Sequence, residues 1–172
     1  MEINTERLKL VLLGEVYLES THRYASDTEN TRYMINLPND TIEETRGFLR
    51  ICEEEHKKEK PLFYEMAVLK DGCHIGAVSI HFDENFKSGE LGWIISSEYQ
   101  GFGYAGGAAL ALMKYVNEEF GICHFTAHCD SENTASISVM KKLHFSRTGC
   151  WGGRKNRGSD EERTEYMYEL FV

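Results

Sequence analysis

Three apolar segments follow one another with very little between them, and this spacing constrains the fold more than any other feature of the chain. FYEMAVLK (63–70) runs into Asp71-Gly72 and re-emerges as CHIGAVSIHF (73–82). Asp-Gly between two apolar runs is a strong hairpin signal, because both turn positions need positive φ, which these residues tolerate. A polar turn from Asp83 to Gly89 then leads into ELGWIIS. Residues 63–97 are expected to form an antiparallel meander.

The remaining elements are read around that meander. TERLKLVL (5–12) alternates partly and reads as a first strand, followed by a polar, helix-like stretch through Asn30 and a loop containing Pro38. TIEETRGFLRICEEEHKKEKP opens with a capping box, Thr41 and Glu44, and stops at Pro61. Ile42, Leu49 and Cys52 can face a core, and the charges from Glu53 to Lys60 read as a solvated helix end.

GYAGGAALALMKYVNEEF carries apolar residues at helical spacing (Ala105, Ala108/Ala109, Leu112, Val116), and Gly121 is a natural stop. CHFTAHC reads as a strand, NTASISVMKKLHF as a helix and EYMYELFV as a last strand, with Gly152 to Arg163 as a polar loop. The class is α+β: one domain over 1–172, a mixed, mostly antiparallel sheet of about seven strands flanked by helices.

Charge and cysteine usage bear on partners and compartment. With 19 basic against 28 acidic side chains the net charge is −9, which argues against non-specific nucleic-acid binding and is hospitable to cationic partners such as amines. The N-terminus is acidic with a short apolar run, unlike a signal peptide, and no stretch has the length of a membrane span. Five cysteines with no C-x-x-C suggest reduced thiols and a cytoplasmic protein.

The chemistry is carried by QGFGYAGG (100–107), which contains a literal G-x-G-x-x-G at Gly101, Gly103 and Gly106. A dinucleotide fingerprint follows its strand directly inside a βαβ unit, with an acidic residue about 20 positions on. Here Ser97-Glu98-Tyr99-Gln100 intervene, a meander precedes, and too little chain follows Asp130 to complete a doubly wound domain. No G-K-[ST] follows either. Glycines that let a backbone approach closely, at a helix start whose N–H groups carry partial positive charge, still suit a phosphate. The competing reading is close helix–sheet packing at Gly106 and Gly107.

Gln100-Gly101-Phe102-Gly103-Tyr104-Ala105 resembles the Q/R-x-x-G-x-G/A signature of the GNAT N-acetyltransferases, in the matching place after a meander strand. Within that superfamily the chain is similar to the ribosomal-protein N-acetyltransferase (RimJ/RimL) branch through TERLKL, ENTRYM, EETRGFL, GELGWIIS and NTASISVMKKLHF. The resemblance spans nearly the whole chain. It implies acetyl-CoA as cosubstrate, an amine acceptor that is a protein N-terminus or a small molecule, and a homodimer, common in the family.

The resemblance also assigns roles. The N–H groups from Gly101 through Phe102, Gly103, Tyr104 and Ala105 to Gly106 would cradle the CoA pyrophosphate. The strand around Trp93, Ile94, Ile95 and Ser96 would pair with the pantetheine arm, with Gly92 at a bulge that opens a slot for the thioester. Asn133 would bind pantetheine or cap its helix.

Acetyl transfer requires an amine that loses a proton, a donor to the oxyanion and a proton for the leaving thiolate. The resemblance implies an N–H of Ile94 or Ile95 as oxyanion donor. Glu90 is the candidate base, against an exposed strand-end carboxylate, and Ser136 the candidate acid, against a small residue making room. Two departures stand out: Met140 occupies the position where many relatives carry a tyrosine acid, and His144 replaces their glycine before Phe145. A polyamine or aminoglycoside acetyltransferase and a non-catalytic CoA-binding module are the alternatives.

Other clusters are read as structural. On a strand Cys123 and Cys129 share one face and His124 and His128 the other, so they cannot gather around one metal ion. Arg154, Lys155 and Arg157 read as a solvated loop or a CoA phosphate contact. Tyr24, Tyr33 and Phe63 read as core or as lining of a substrate entrance.

Overall fold

The computed structural model describes residues 1–172. Its strands are β1 (Glu2–Asn4), β2 (Lys9–Leu12), β3 (Phe63–Lys70), β4 (Cys73–Phe82), β5 (Ser88–Ile95), β6 (His124–Asp130), β7 (Ser146–Lys155) and β8 (Glu162–Phe171). The helices are α1 (Leu18–Ala25), α2 (Ile42–His56), α3 (Tyr104–Phe120) and α4 (Thr134–Lys142). All eight strands form one sheet in the order β1-β2-β3-β4-β5-β6-β8-β7. Every neighbouring pair is antiparallel except β5 and β6, which run parallel.

The meander forms as the sequence indicates, with Asp71 (φ +49°) and Gly72 (φ +82°) both left-handed in the turn. Thr41 caps α2, its hydroxyl accepting from the Glu44 N–H at 3.3 Å, and the Glu44 carboxylate returns to the Asp40 N–H. α3 ends at Gly121 in the left-handed region.

Three expectations need correction. Residues 5–12 are not one strand: Thr5 turns the chain, its hydroxyl accepting from the N–H groups of Arg7 and Leu8. This makes a hairpin of β1 and β2 and raises the strand count to eight. The helix-like stretch to Asn30 is helical only to Ala25, because the Asp27 side chain captures the N–H groups of Glu29 and Asn30 in a turn. Residues 152–163 are a loop only from Asn156 to Glu161, since β7 reaches Lys155 and β8 starts at Glu162. The β7–β8 ladder absorbs Gly152-Gly153 as an irregularity between Trp151 and Arg154.

The sheet separates two cores. Met66, Val68, Val78, Ile80, Leu91 and Phe125 pack under α3 and α4. Ala67 and Ala77 pack under α1 and α2 with Leu13, Tyr24 and Leu49. Because α1 and α2 sit over β3 and β4, the same sheet face over β6, β8 and β7 is left without a helix. No helix is long and apolar enough to cross a membrane.

Candidate active site

The sheet forks at its one parallel pairing. Ser88, Gly89, Glu90 and Leu91 are in register with His124, Phe125, Thr126 and Ala127, and there the pairing stops. Beyond it, Gly92 to Ile95 stay with β4, while His128 to Asp130 stay with β8. The register of β5 with β4 is unbroken through Ser79↔Gly92, so no bulge lies at Gly92; the opening comes from the parting of β5 and β6. Glycine at position 92 leaves room for a neighbouring side chain instead. A Cβ there would stand 2.7 Å from the Ser79 hydroxyl, which rises into that space from the next strand.

Alternation along β5 decides which peptide groups face the fork. The Ser96 N–H donates to the Ile75 carbonyl on the β4 side, so the amides of Ile94 and Gly92 also face β4. Those of Trp93 and Ile95 face the fork. Ile94 is therefore unsuited as oxyanion donor, and of the two residues named from the sequence Ile95 is the one whose N–H is available. The Ile95 carbonyl is held at 2.9 Å by the Gln100 side-chain amide, which also reaches Asn30 at 2.6 Å. Gln100 thus anchors the glycine loop to the end of β5.

That loop turns at Gly101 (φ +84°) and Gly103 (φ +80°), conformations that L side chains rarely adopt. Arg7 holds its outer side, donating to the Phe102 carbonyl at 3.2 Å and lying over the Tyr104 ring, which stacks on Phe102. The Gly107 N–H makes the first helical bond of α3, to the Gly103 carbonyl. No N–H from Gly101 to Gly106 donates within the chain. A row of unpaired N–H groups at the positive end of a 17-residue helix can donate hydrogen bonds to the oxygens of an anion. A Cβ at Gly106 or Gly107 would meet only ordinary contacts, at 3.9 and 3.7 Å, so close packing does not demand glycine there.

α4 begins beside the end of β6. Asn133 caps it, its side-chain oxygen accepting from the Ser136 N–H at 3.1 Å. Ser136 is partly exposed, whereas Met140, one turn on, is fully buried in the main core. Position 140 therefore faces the core, and Ser136 lies one turn nearer the start of the helix. Glu90 is exposed, two residues before Gly92 and directly opposite His81 of β4.

The acceptor side holds features that the sequence reading missed. Arg154 is buried, not solvated: it pairs with Glu165 and donates to Asn156 at 2.9 Å and the Tyr33 carbonyl at 2.7 Å. It is thus committed to the interior and unavailable as a phosphate contact. Arg157 pairs with Asp40 and Glu44. Together with the Gln100–Asn30 bond, these contacts pin residues 27–41 along the rim of the fork.

Asp130 is fully buried. Burial acts to raise its pKa, but the Glu132 N–H, the Asn156 amide and the Arg163 guanidinium outweigh it and hold the carboxyl below its usual range. Tyr24 is core, Phe63 stacks on His81, and the Tyr33 ring lies beside Arg32 and Arg163. His124 is taken by Glu169, and Glu165 is shared by Arg154 and Trp151.

The chain also matches a known family over most of its length. Residues 7–146 match the acetyltransferase (GNAT) domain. The chain belongs to the GNAT acetyltransferases. The chain is 28% identical to the uncharacterized N-acetyltransferase YnaD of Bacillus subtilis (strain 168), over 99% of this chain and 96% of that protein. Among solved structures it superposes on a GNAT-family acetyltransferase from Bacillus anthracis with a TM-score of 0.83, at 27% identity over 99% of this chain and 98% of the other. It also shares its fold, at a TM-score of 0.88, 19% identity and coverage of 100% and 99%, with the Salmonella typhimurium acetyltransferase that modifies the N-terminal serine of ribosomal protein L7/L12.

Proposed function

We propose that this GNAT acetyltransferase seats acetyl-CoA in the fork and passes the acetyl group to a primary amine that arrives across the helix-free face over β6, β8 and β7. The observation that carries the reading is the row of free N–H groups from Gly101 to Gly106, set where β5 leaves β6. In this reading those groups hold the pyrophosphate. The outward amides of Trp93 and Ile95 pair with the pantetheine arm as a neighbouring strand would. The cosubstrate itself supplies the activated acetyl thioester.

The chain's own residues do the rest. The Ile95 N–H is the oxyanion donor in this arrangement, and the Gln100 side chain holds the carbonyl of the same residue. Glu90, exposed on the acceptor face and free of any ion pair, draws in a cationic amine and is a candidate for taking its proton. Ser136 on α4 is the candidate donor to the departing sulfur, and Asn133 keeps its turn in place. The helix-free face, bordered by residues 27–41, supports a protein N-terminus as acceptor, in the manner of the ribosomal-protein branch. The net charge of −9 favours a polycationic small amine as the second reading.

Thiol release from acetyl-CoA, followed over a panel of N-terminal peptides and polyamines, tests the proposal. Release that depends on both the enzyme and one class of amine is expected. Tight CoA binding with no release on any member would leave a binding module instead of an enzyme.

A further inference from the structure

On the sheet face that carries α1 and α2, one row of residues crosses three strands: Glu65 on β3, Ser79 on β4 and Gly92 on β5, each directly opposite the next. Opposed residues on adjacent strands point to the same side, and the strands are about 4.8 Å apart. Glu65 therefore lies roughly 10 Å along the row from the residue at which the fork opens. Nothing but the Ser79 hydroxyl stands between them, because position 92 has no side chain and its space is occupied by that hydroxyl.

Glu65 also differs from the other carboxylates of this face. Asp130 is paired with Arg163, Glu165 with Arg154, and Glu169 with His124. Glu65 and Glu90 have no ion-pair partner, and of these Glu90 is exposed while Glu65 is tucked beneath α1 and α2. The titratable groups that face Glu65 are Tyr24 of α1, Cys52 and His56 of α2 and, diagonally across on β4, His81. Burial keeps the first two un-ionised and lowers the pKa of both His56 and His81, so none of these groups is a cation that stabilises the carboxylate. From β4 the row offers only the Ser79 hydroxyl. A free carboxyl held among neutral groups serves no structural pairing, and it is placed to exchange a proton.

We propose that Glu65, acting through the Ser79 hydroxyl, is the terminal acceptor of the proton that the substrate amine gives up. The inference rests on the acetyl-transfer reading above and refines it: Glu90 attracts the ammonium at the mouth, and Glu65 takes the proton from within.

The ammonium passes one proton to the Ser79 oxygen as the Ser79 proton moves to the Glu65 carboxylate. The freed nitrogen lone pair attacks the thioester carbon, and the new N–C bond replaces the C–S bond when the tetrahedral adduct collapses. The remaining excess proton on nitrogen goes to the departing sulfur, which leaves as the thiol. Glu65 then releases its proton to solvent. Burial pushes the Glu65 carboxyl up to about 8, with Ser79 acting in the opposite direction, and a base near the working pH is the efficient choice.

The test compares wild type, Glu65→Gln, Ser79→Ala and Glu90→Gln in acetyl-CoA-dependent thiol release across pH, with CoA-induced thermal shift measured on each. Wild-type kcat/KM is expected to rise with pH to a plateau, with a midpoint near the Glu65 value of about 8. Glu65→Gln should keep the CoA shift, lose roughly 10²–10⁴ in kcat/KM and lose that rising limb. Ser79→Ala should keep the CoA shift and lose the same limb, whereas Glu90→Gln should raise KM and keep it. A Glu65→Gln variant, or a folded Ser79→Ala variant, with the wild-type rate and profile overturns the relay and leaves acetyl transfer standing. A wild type that neither shifts with CoA nor releases thiol overturns both.

Discussion

Replacing Glu65 by glutamine should change how stability depends on pH, independently of any catalysis. The ordinary carboxyl pKa is 4.5, and burial against α1 and α2 raises the folded-state value to about 8. Between those limits the folded protein holds a proton that the unfolded chain has released. Its contribution to stability is therefore complete below pH 4.5 and is lost as pH rises through about 8. Each unit of separation corresponds to about 1.4 kcal/mol, which sets a ceiling of about 5 kcal/mol over the whole window. Partial solvent contact at Glu65 reduces this, and a realised effect of about 2–4 kcal/mol is expected. Glutamine preserves the shape and hydrogen-bonding capacity and has no proton to lose. Urea unfolding of both proteins from about pH 5 to about pH 9 reads the difference directly. The variant should gain on wild type steadily with pH, near parity at the acid end and more stable at the alkaline end. Parallel stability curves would refute the claim that Glu65 is buried without a compensating charge.

Two further substitutions probe the scaffold. Gly103→Ala places a side chain at φ +80°, which costs about 1–2 kcal/mol in strain; CoA should bind markedly more weakly by calorimetry, with the fold retained by circular dichroism. Arg154→Ala leaves the Glu165 carboxylate without its cation in a buried setting and frees the Tyr33 carbonyl. A loss of about 3 kcal/mol in denaturant unfolding is expected, with faster proteolysis within residues 27–41.

The parts of the molecule that were legible in the sequence are those fixed by local chemistry. Asp71-Gly72 dictates its own turn, Thr41 and Glu44 their own cap, and Gly101 and Gly103 supply the positive φ that their loop needs. Elements decided by partners far along the chain were harder to read. Arg154 looked like a loop cation because its partners, Tyr33 and Glu165, are contributed by distant segments. The strand character of Gly152-Gly153 is likewise imposed by the β8 ladder, against local preference.

The candidate site divides the same way. The anion cradle follows from its own residues, whereas the choice of Ile95 over Ile94 depends on the phase of β5 against β4. Glu65 had no signal of its own. In FYEMAVLK it sits at an ordinary alternating position, and only the register that aligns it with Ser79 and Gly92 sets it apart. A glycine opposite a serine, opposite a glutamate, on three consecutive meander strands was the readable trace of that row.

The central claim is that the free N–H groups of Gly101 to Gly106, beside the fork, hold the phosphates of coenzyme A. Thermal shift of the purified protein with CoA, acetyl-CoA and NAD measures this most directly, since a ligand that binds the folded state raises its apparent stability. The account predicts an upward shift with CoA and acetyl-CoA and none with NAD. A shift with NAD and none with either form of coenzyme A would contradict it.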